Sequence, residues 1–325
     1  MKVYVRAPYS ENNLMDLKNI FDEVIYEPWT LTGERFYENE MIDNLNRVNP
    51  DVLITELDRV TNKVLDSYKN LKLIGDCRSN PANIDINACN MHKLPVICTP
   101  GRNSIAVAEY IVGMIIMSYR NILPSIEWIK DGEWKEGTTP YYTWMGQEIY
   151  NKEVGIVGLG AVGKSLANLL TSFGANISYY DPYVKDIEKY KEKNLEDIFK
   201  ESDIISIHLP VNSETNNMID YKLLNYIKEG GILINSSRSQ VINNNDLINI
   251  IKNKKITVIL DVLPKEPPKY SELDFLKNNN VILTPHIGGA TFQVTSHQSK
   301  ILNERIFKWF KGEDLLKIIY NKEII

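Results

Sequence analysis

Apolar residues along this chain gather into short runs, and the stretches between them carry apolar positions every three or four residues. The first series reads KVYVRAP, then the helical pattern ENNLMDLKNIF, then DVLIT, a second helical pattern near TNKVLDSYKN, and LKLIGDC. Short buried runs alternating with helices predict βαβ units and a parallel sheet. A second series starts after PGRNS with a long amphipathic stretch from Ile105 to Ile122. It continues through EVGIVGL, a helix, NISYYD, DIISIHLP, GGILINSS, ITVILDV and NVILTPH. Its strands end at Gly, Pro or an acidic residue, the usual punctuation of a strand terminus. Residues 291 to 311 read as one helix.

Two series imply two cores, and 325 residues exceed one ordinary core. The expected fold class is therefore α/β: two Rossmann-like, doubly wound parallel-sheet domains with a cleft between them. Candidate hinges lie near Pro100 and around Gly288 and Gly289. If the last helix packs on the first series, the smaller domain is discontinuous.

Composition narrows the class of partner. With 43% hydrophobic and 24% charged residues and a net charge of −5, the chain reads as a soluble globular protein. That mild acidity argues against nucleic acid or a polybasic membrane contact. The start, MKVYVRAPYS, has no apolar leader core, and VAEYIVGMIIMSY carries Glu109 and ends at Arg120, so neither a signal peptide nor a membrane span is expected. Cys77, Cys89 and Cys98 lack metal-type spacing, which suits free thiols in a reducing cytoplasm and no metal site. WIKDGEWKEGTTPYYTW holds three of the five tryptophans, too aromatic and too long for an ordinary connection. It suits an arm buried against a second subunit.

Gly158, Gly160 and Gly163 stand in GxGxxG spacing after an apolar strand and at the start of an apolar-periodic helix. The first allows a tight turn, the second a close approach of pyrophosphate to the main chain, and the third close packing of helix on strand. The helix N-terminus then offers unpaired N–H groups to the phosphates. Asp181 ends the next strand, where a carboxylate can bind the adenine-ribose hydroxyls and repel a 2′-phosphate, so NAD is expected over NADP. Lys185 is the basic group nearby that would soften this preference.

Three further strand ends carry Arg238, Glu266 and His286. In a doubly wound sheet such ends line the crevice that holds the cofactor. Together they suit reduction of a 2-keto acid. Arg238 would grip the carboxylate or carbonyl oxygen with its planar fork, His286 would pass a proton to the oxygen, and Glu266 would hold the imidazole charged.

The chain resembles the D-isomer-specific 2-hydroxyacid dehydrogenases, in the branch of phosphoglycerate dehydrogenase and glyoxylate/hydroxypyruvate reductase. The resemblance rests on PGRNSIAVAEY, VGIVGLGAVG, SIHLPVNSETNNMI, INSSRSQVIN, LDVLPKEPP and TPHIGGAT, in that order. It implies that Arg238, Glu266 and His286 are catalytic and that Asp261 lies near the nicotinamide carboxamide. It implies cofactor contacts at Ala161 and Val162, at His208, Pro210 and Thr215, and at Ser236 and Ser237, with His208 expected to pack or cap a turn. The implied domains are a substrate-binding lid of residues 1–100 plus 290–325 and an NAD-binding domain of residues 101–289. A dimerisation arm near 120–150 would make a homodimer. Two rivals stand beside this reading: a formate- or phosphite-type dehydrogenase on the same scaffold, and an NADH-sensing regulatory protein that works by binding partners.

The pattern departs from the family in the first series. GDCRSNPANID puts Arg78, Ser79 and Asn80 where relatives carry small residues that offer backbone N–H groups, and PGRNS adds Arg102. These four are the candidate substrate contacts, with salt bridges to Glu56 and Asp58 as the alternative for the two arginines. Ser239 stands where relatives usually have Gly. A left-handed Ser239 would signal strain at a working site, and an ordinary conformation a rebuilt turn.

Overall fold

The computed structural model describes residues 1–269, 273–275, 278 and 280–325. The chain divides into two compact units, Met1–Arg102 with Thr291–Ile325, and Asn103–Ala290.

In the first unit, β1 (Lys2–Val5), β2 (Glu23–Tyr26), β3 (Val52–Thr55), β4 (Leu73–Asp76) and β5 (Val96–Cys98) form one sheet in the order β2-β1-β3-β4-β5. Every pairing is parallel. Parallel strands need helical crossovers, and these cover both faces. Tyr4, Leu53, Ile74 and Val96 pack with Met41 and Leu45 of the helix Glu38–Val48. On the other face Val5, Ile54, Leu73 and Ile97 pack with Leu302 and Ile306 of the helix Gln293–Lys311. This helix lies so close that a β-carbon on Gly75 would sit 3.0 Å from the Leu302 side chain. Two strands of this sheet were not foreseen. β2 is an edge strand of mixed burial, and β5 has only three residues after a proline, so neither carries a strong apolar signal.

In the second unit, β6 (Glu153–Val157), β7 (Asn176–Tyr180), β8 (Lys191–Glu192), β9 (Ile204–Ile207), β10 (Ile232–Asn235), β11 (Thr257–Leu260) and β12 (Val281–Leu283) pair in the order β12-β11-β10-β9-β6-β7-β8. All are parallel. The chain runs outward from β6 through β7 and β8, then returns to the other side of β6 with β9. That reversal creates a crevice at the carboxyl ends of β6 and β9. β8 is two exposed charged residues, invisible to any hydrophobic pattern.

The stretch from Ile105 to Ile122 is neither one helix nor amphipathic in the ordinary sense. The helix Ser104–Tyr119 is covered on most of its circumference, with an exposed stripe at Ile105, Glu109 and Gly113, because it is a core element packed on the helix Ala161–Ser172. A left-handed Asn121 ends it, and the helix Ile122–Lys130 departs at 58°. Beyond, Trp128 meets Trp134 and Trp144 at ring-centre distances of 6.5 and 6.0 Å. Among the described residues no single helix is long and apolar enough to cross a membrane.

Candidate active site

The crevice is shaped first by glycine. Gly158 follows β6 with φ +95°, and a β-carbon there would stand 2.7 Å from the His208 carbonyl oxygen, so both conformation and space require glycine. A β-carbon on Gly163 would fall 2.2 Å from the Gly158 carbonyl, which lets the helix Ala161–Ser172 rest on the loop. Gly160 differs: among the described residues, nothing beyond its own stretch of chain lies within 4 Å of where its β-carbon would be. Nothing among the described residues asks for glycine at 160, whereas a pyrophosphate approaching the main chain would. Beside it Ala161, Val162 and Gly163 begin the helix, with N–H groups that have no helical acceptor. The residues present therefore fit a dinucleotide.

Asp181, only 8% exposed, follows β7 and ties this loop in place. One carboxylate oxygen accepts the Leu159 N–H at 2.8 Å, and the other accepts those of Tyr183 and Val184 at 2.8 and 3.1 Å. Lys185 is ion-paired to Glu192. After β9, the His208 Nε2 meets the Ser206 hydroxyl at 3.0 Å, and burial pushes the imidazole down to about 4, so it is neutral near pH 7 and packs against the loop. Thr215 donates to the Pro210 carbonyl at 2.6 Å and closes the loop that follows.

The turn after β10 answers the question posed by Ser239. Asn235 accepts the Ser237 N–H and hydroxyl at 3.0 and 2.9 Å and donates to the Arg238 carbonyl at 2.9 Å. The chain then enters a 3-10 turn, Ser239–Val241, with no left-handed residue. The turn has been rebuilt around an asparagine side chain, and glycine is not needed. Arg238 is extended and exposed, its guanidinium donating to the Ser237 carbonyl at 2.6 Å. The Ser236 hydroxyl is buried without a partner, as a group awaiting a polar ligand would be.

Glu266 and His286 meet directly. Glu266 Oε2 lies 2.7 Å from His286 Nδ1, while Oε1 accepts the Leu263 N–H at 2.9 Å. Burial raises the Glu266 pKa, but the bonds from His286 and Leu263 outweigh it, with the charge of Arg238 adding, and the carboxyl is held below its usual range. Arg238, Glu266 and His286 thus share one electrostatic neighbourhood. His286 itself is left-handed, φ 57°, which costs an L-residue about 1–2 kcal/mol.

The profile described as "D-isomer specific 2-hydroxyacid dehydrogenase, NAD binding domain" matches residues 112–288. YoaD of Bacillus subtilis (strain 168), itself grouped with the 2-hydroxyacid dehydrogenases, is 42% identical over 330 residues, covering 100% of this chain and 96% of that protein. The chain belongs to the D-isomer-specific 2-hydroxyacid dehydrogenase family. A glyoxylate reductase of Thermofilum pendens is 32% identical over 335 residues, covering 100% of this chain and 95% of that one. Among solved structures, the NAD+-bound 3-phosphoglycerate dehydrogenase of Entamoeba histolytica superposes with a TM-score of 0.73 at 28% identity, covering 99% of both chains. This family member is accordingly an NAD-dependent oxidoreductase of the 2-hydroxyacid class, and the residues matched by the NAD-binding profile fall within its second unit.

The first unit of this family member treats its candidates unequally. Arg102 donates to Glu56 Oε1 at 2.5 Å and to the Gln298 side chain, and Glu56 also accepts the Trp29 indole N–H at 3.1 Å. Asp58 is buried against Arg6 at 3.3 Å and accepts the Phe36 N–H at 2.7 Å. Glu56 and Asp58 are therefore internal partners, and Arg102 follows the salt-bridge alternative. Ser79 donates to the Thr99 carbonyl at 3.1 Å, and Asn80 accepts the Tyr320 hydroxyl at 3.2 Å. Arg78, half-buried, has no ion-pair partner within 4 Å among the described residues.

Sequence reasoning passed over Asp76, at the end of β4. It is 0% exposed, and neither carboxylate oxygen makes a hydrogen bond among the described residues. Burial pushes its carboxyl well above the usual range, against the pull of Arg78. An acidic residue closing an otherwise apolar strand was the available signal. Tyr110 and Thr284 were also passed over; only their contacts mark them.

Proposed function

We propose that this enzyme interconverts a D-2-hydroxy acid and its 2-keto acid, with His286 as acid and base and small keto acids such as glyoxylate or hydroxypyruvate as substrates. The observation that carries this reading is the 2.7 Å contact of Glu266 with His286 Nδ1. A carboxylate on Nδ1 fixes the ring so that Nε2 is the nitrogen offered to substrate. Bound NADH would supply the hydride to C2. Nε2 gives its proton to the carbonyl oxygen, Glu266 steadies the charged imidazole, and Arg238 grips the substrate carboxylate with its fork. In the oxidative direction Nε2 takes the hydroxyl proton.

Gly158, Gly160, Ala161, Val162 and Gly163 would cradle the pyrophosphate, Asp181 the adenine ribose, Pro210 and Thr215 the loop beside it, and Ser236, Ser237 and Asp261 the nicotinamide end. With Lys185 neutralised by Glu192, Asp181 faces a 2′-phosphate without a counter-charge, which supports NAD over NADP. Arg78 would select the acid, since it alone among the four candidates has an uncommitted side chain. The thiols of Cys77, Cys89 and Cys98, all free and buried, suit a cytoplasmic enzyme. Exposed Ile122, Ile126, Ile129, Tyr141 and Tyr142 support a homodimer through the aromatic arm.

The test is oxidation of NADH and of NADPH against glyoxylate, hydroxypyruvate, 3-phosphohydroxypyruvate, pyruvate, and longer 2-keto acids. Turnover of the first two with NADH is expected. Activity with none of them, or with NADPH alone, would overturn the reading.

A further inference from the structure

The left-handed His286 is flanked in its loop by residues that a series of hydrogen bonds links to the helix Ser104–Tyr119. Asp261, 2% exposed, follows β11 and has both carboxylate oxygens engaged. Oδ1 accepts the Thr284 hydroxyl at 2.6 Å and the Ile287 N–H at 2.8 Å, and Oδ2 accepts the Gly288 N–H at 2.7 Å. Thr284 and Ile287 lie on opposite sides of His286 in the chain, so one carboxylate grips the loop before and after the histidine. A β-carbon on Gly288 would come within 2.9 Å of that carboxylate, so the close approach of the loop depends on glycine there.

The chain extends one step further. Tyr110, in the helix Ser104–Tyr119, places its hydroxyl 2.6 Å from Thr284 Oγ1. A threonine hydroxyl has one proton, and Asp261 takes it, so Thr284 must accept from Tyr110. The direction is fixed: the Tyr110 hydroxyl donates to Thr284, Thr284 donates to Asp261, and Asp261 also receives the two N–H groups beyond His286. Each bond in such a series polarises the next.

We infer that Tyr110, Thr284 and Asp261 form a clamp that positions His286, making Tyr110 and Thr284 positioning residues for proton transfer although neither touches the histidine ring. The clamp rests on the reading of His286 as acid and base. It explains how a left-handed histidine is maintained where a relaxed loop would let the ring leave Glu266. A misplacement of about 1 Å is enough to cost ~10²-fold in a positioned reaction.

The experiment compares Thr284→Val, Thr284→Ser, Tyr110→Phe and His286→Asn for kcat and KM with glyoxylate, for NADH affinity by fluorescence titration, and for melting temperature. Thr284→Val is expected to lower kcat ~30-fold and Tyr110→Phe about 5-fold, with KM and NADH affinity within about 2-fold of wild type. Thr284→Ser, which keeps the hydroxyl, should recover most of the loss. A merely structural role would lower the melting temperature of Tyr110→Phe and leave its kcat unchanged, which would overturn the clamp. So would a Thr284→Ser enzyme no faster than Thr284→Val. If Thr284→Val does not fold, Thr284→Ser and Tyr110→Phe decide: wild-type kcat in both overturns the clamp, and a loss in Tyr110→Phe with recovery in Thr284→Ser supports it. Full turnover in His286→Asn would instead overturn the assignment of His286 itself.

Discussion

The carboxyl edges of the two sheets use the same architecture for opposite ends. At the edge of the second unit the carboxylate and amide side chains are satisfied in a directed way, with the Ser236 hydroxyl the exception. Asp181 holds the glycine loop, Asn235 closes the Arg238 turn, Asp261 grips the loop of His286, and Glu266 takes the imidazole. At the edge of the first unit most charges cancel one another, Arg102 with Glu56 and Arg6 with Asp58, leaving, among the described residues, Arg78 without an ion pair and the buried Asp76 without a hydrogen bond. Chemistry needs reacting groups fixed before substrate arrives. Selection needs only that a few groups be left with unmet bonding capacity.

The sharpest way to break this comparison is to remove the proposed proton donor. His286→Asn should lower kcat by ~10³-fold with little change in NADH affinity, the range expected for a lost general acid, as steady-state kinetics and fluorescence titration would show. Arg238→Lys should cost less, about 10²-fold in kcat/KM, and should act on kcat and KM together because the bidentate fork is gone. Arg78→Ala tests the other edge: KM for glyoxylate should rise roughly 10-fold with kcat within about 2-fold, and an equal fall in kcat would erase the distinction between the edges.

Asp76 gives a smaller effect of opposite sign. Its folded-state pKa is raised above the unfolded value of about 3.9, so the native state binds the extra proton and wild-type stability falls as pH rises from that value through the folded one. Asp76→Asn removes the titration. The variant should be about 1–3 kcal/mol more stable than wild type near pH 7 and closer to it near pH 4, measurable by urea unfolding at the two pH values. The smallest effect belongs to Lys185→Ala, which should leave the ratio of NADH to NADPH affinity within about 2-fold, since Glu192 already holds that lysine.

Much of the second unit was readable before any coordinates. Its longer strands, buried on both faces, announce themselves as apolar runs, and Gly158, Gly160 and Gly163 carry their geometry in their spacing. The short exposed β8 and the edge strand β2 bury too little to leave such a trace. What no local pattern contains is a bond between distant residues. Tyr110 and Thr284 are 174 positions apart, and their contact exists only once two layers of the fold have packed. The same holds for Glu56, whose choice between Arg78 and Arg102 the sequence leaves open until Arg102 and Trp29 are seen on it. Ser239 reads as a missing glycine until Asn235 is seen to close the turn by other means.

Gly160 carries a further consequence, because its φ of −73° suits any L-residue and, among the described residues, nothing beyond its own stretch of chain lies near its missing β-carbon. Alanine there should stabilise the free chain by about 0.4–1 kcal/mol through the unfolded state, while filling the space through which phosphate would approach the backbone. One methyl group would then be welcome to the empty protein and unwelcome to its coenzyme, so that robustness and redox competence are traded at a single carbon.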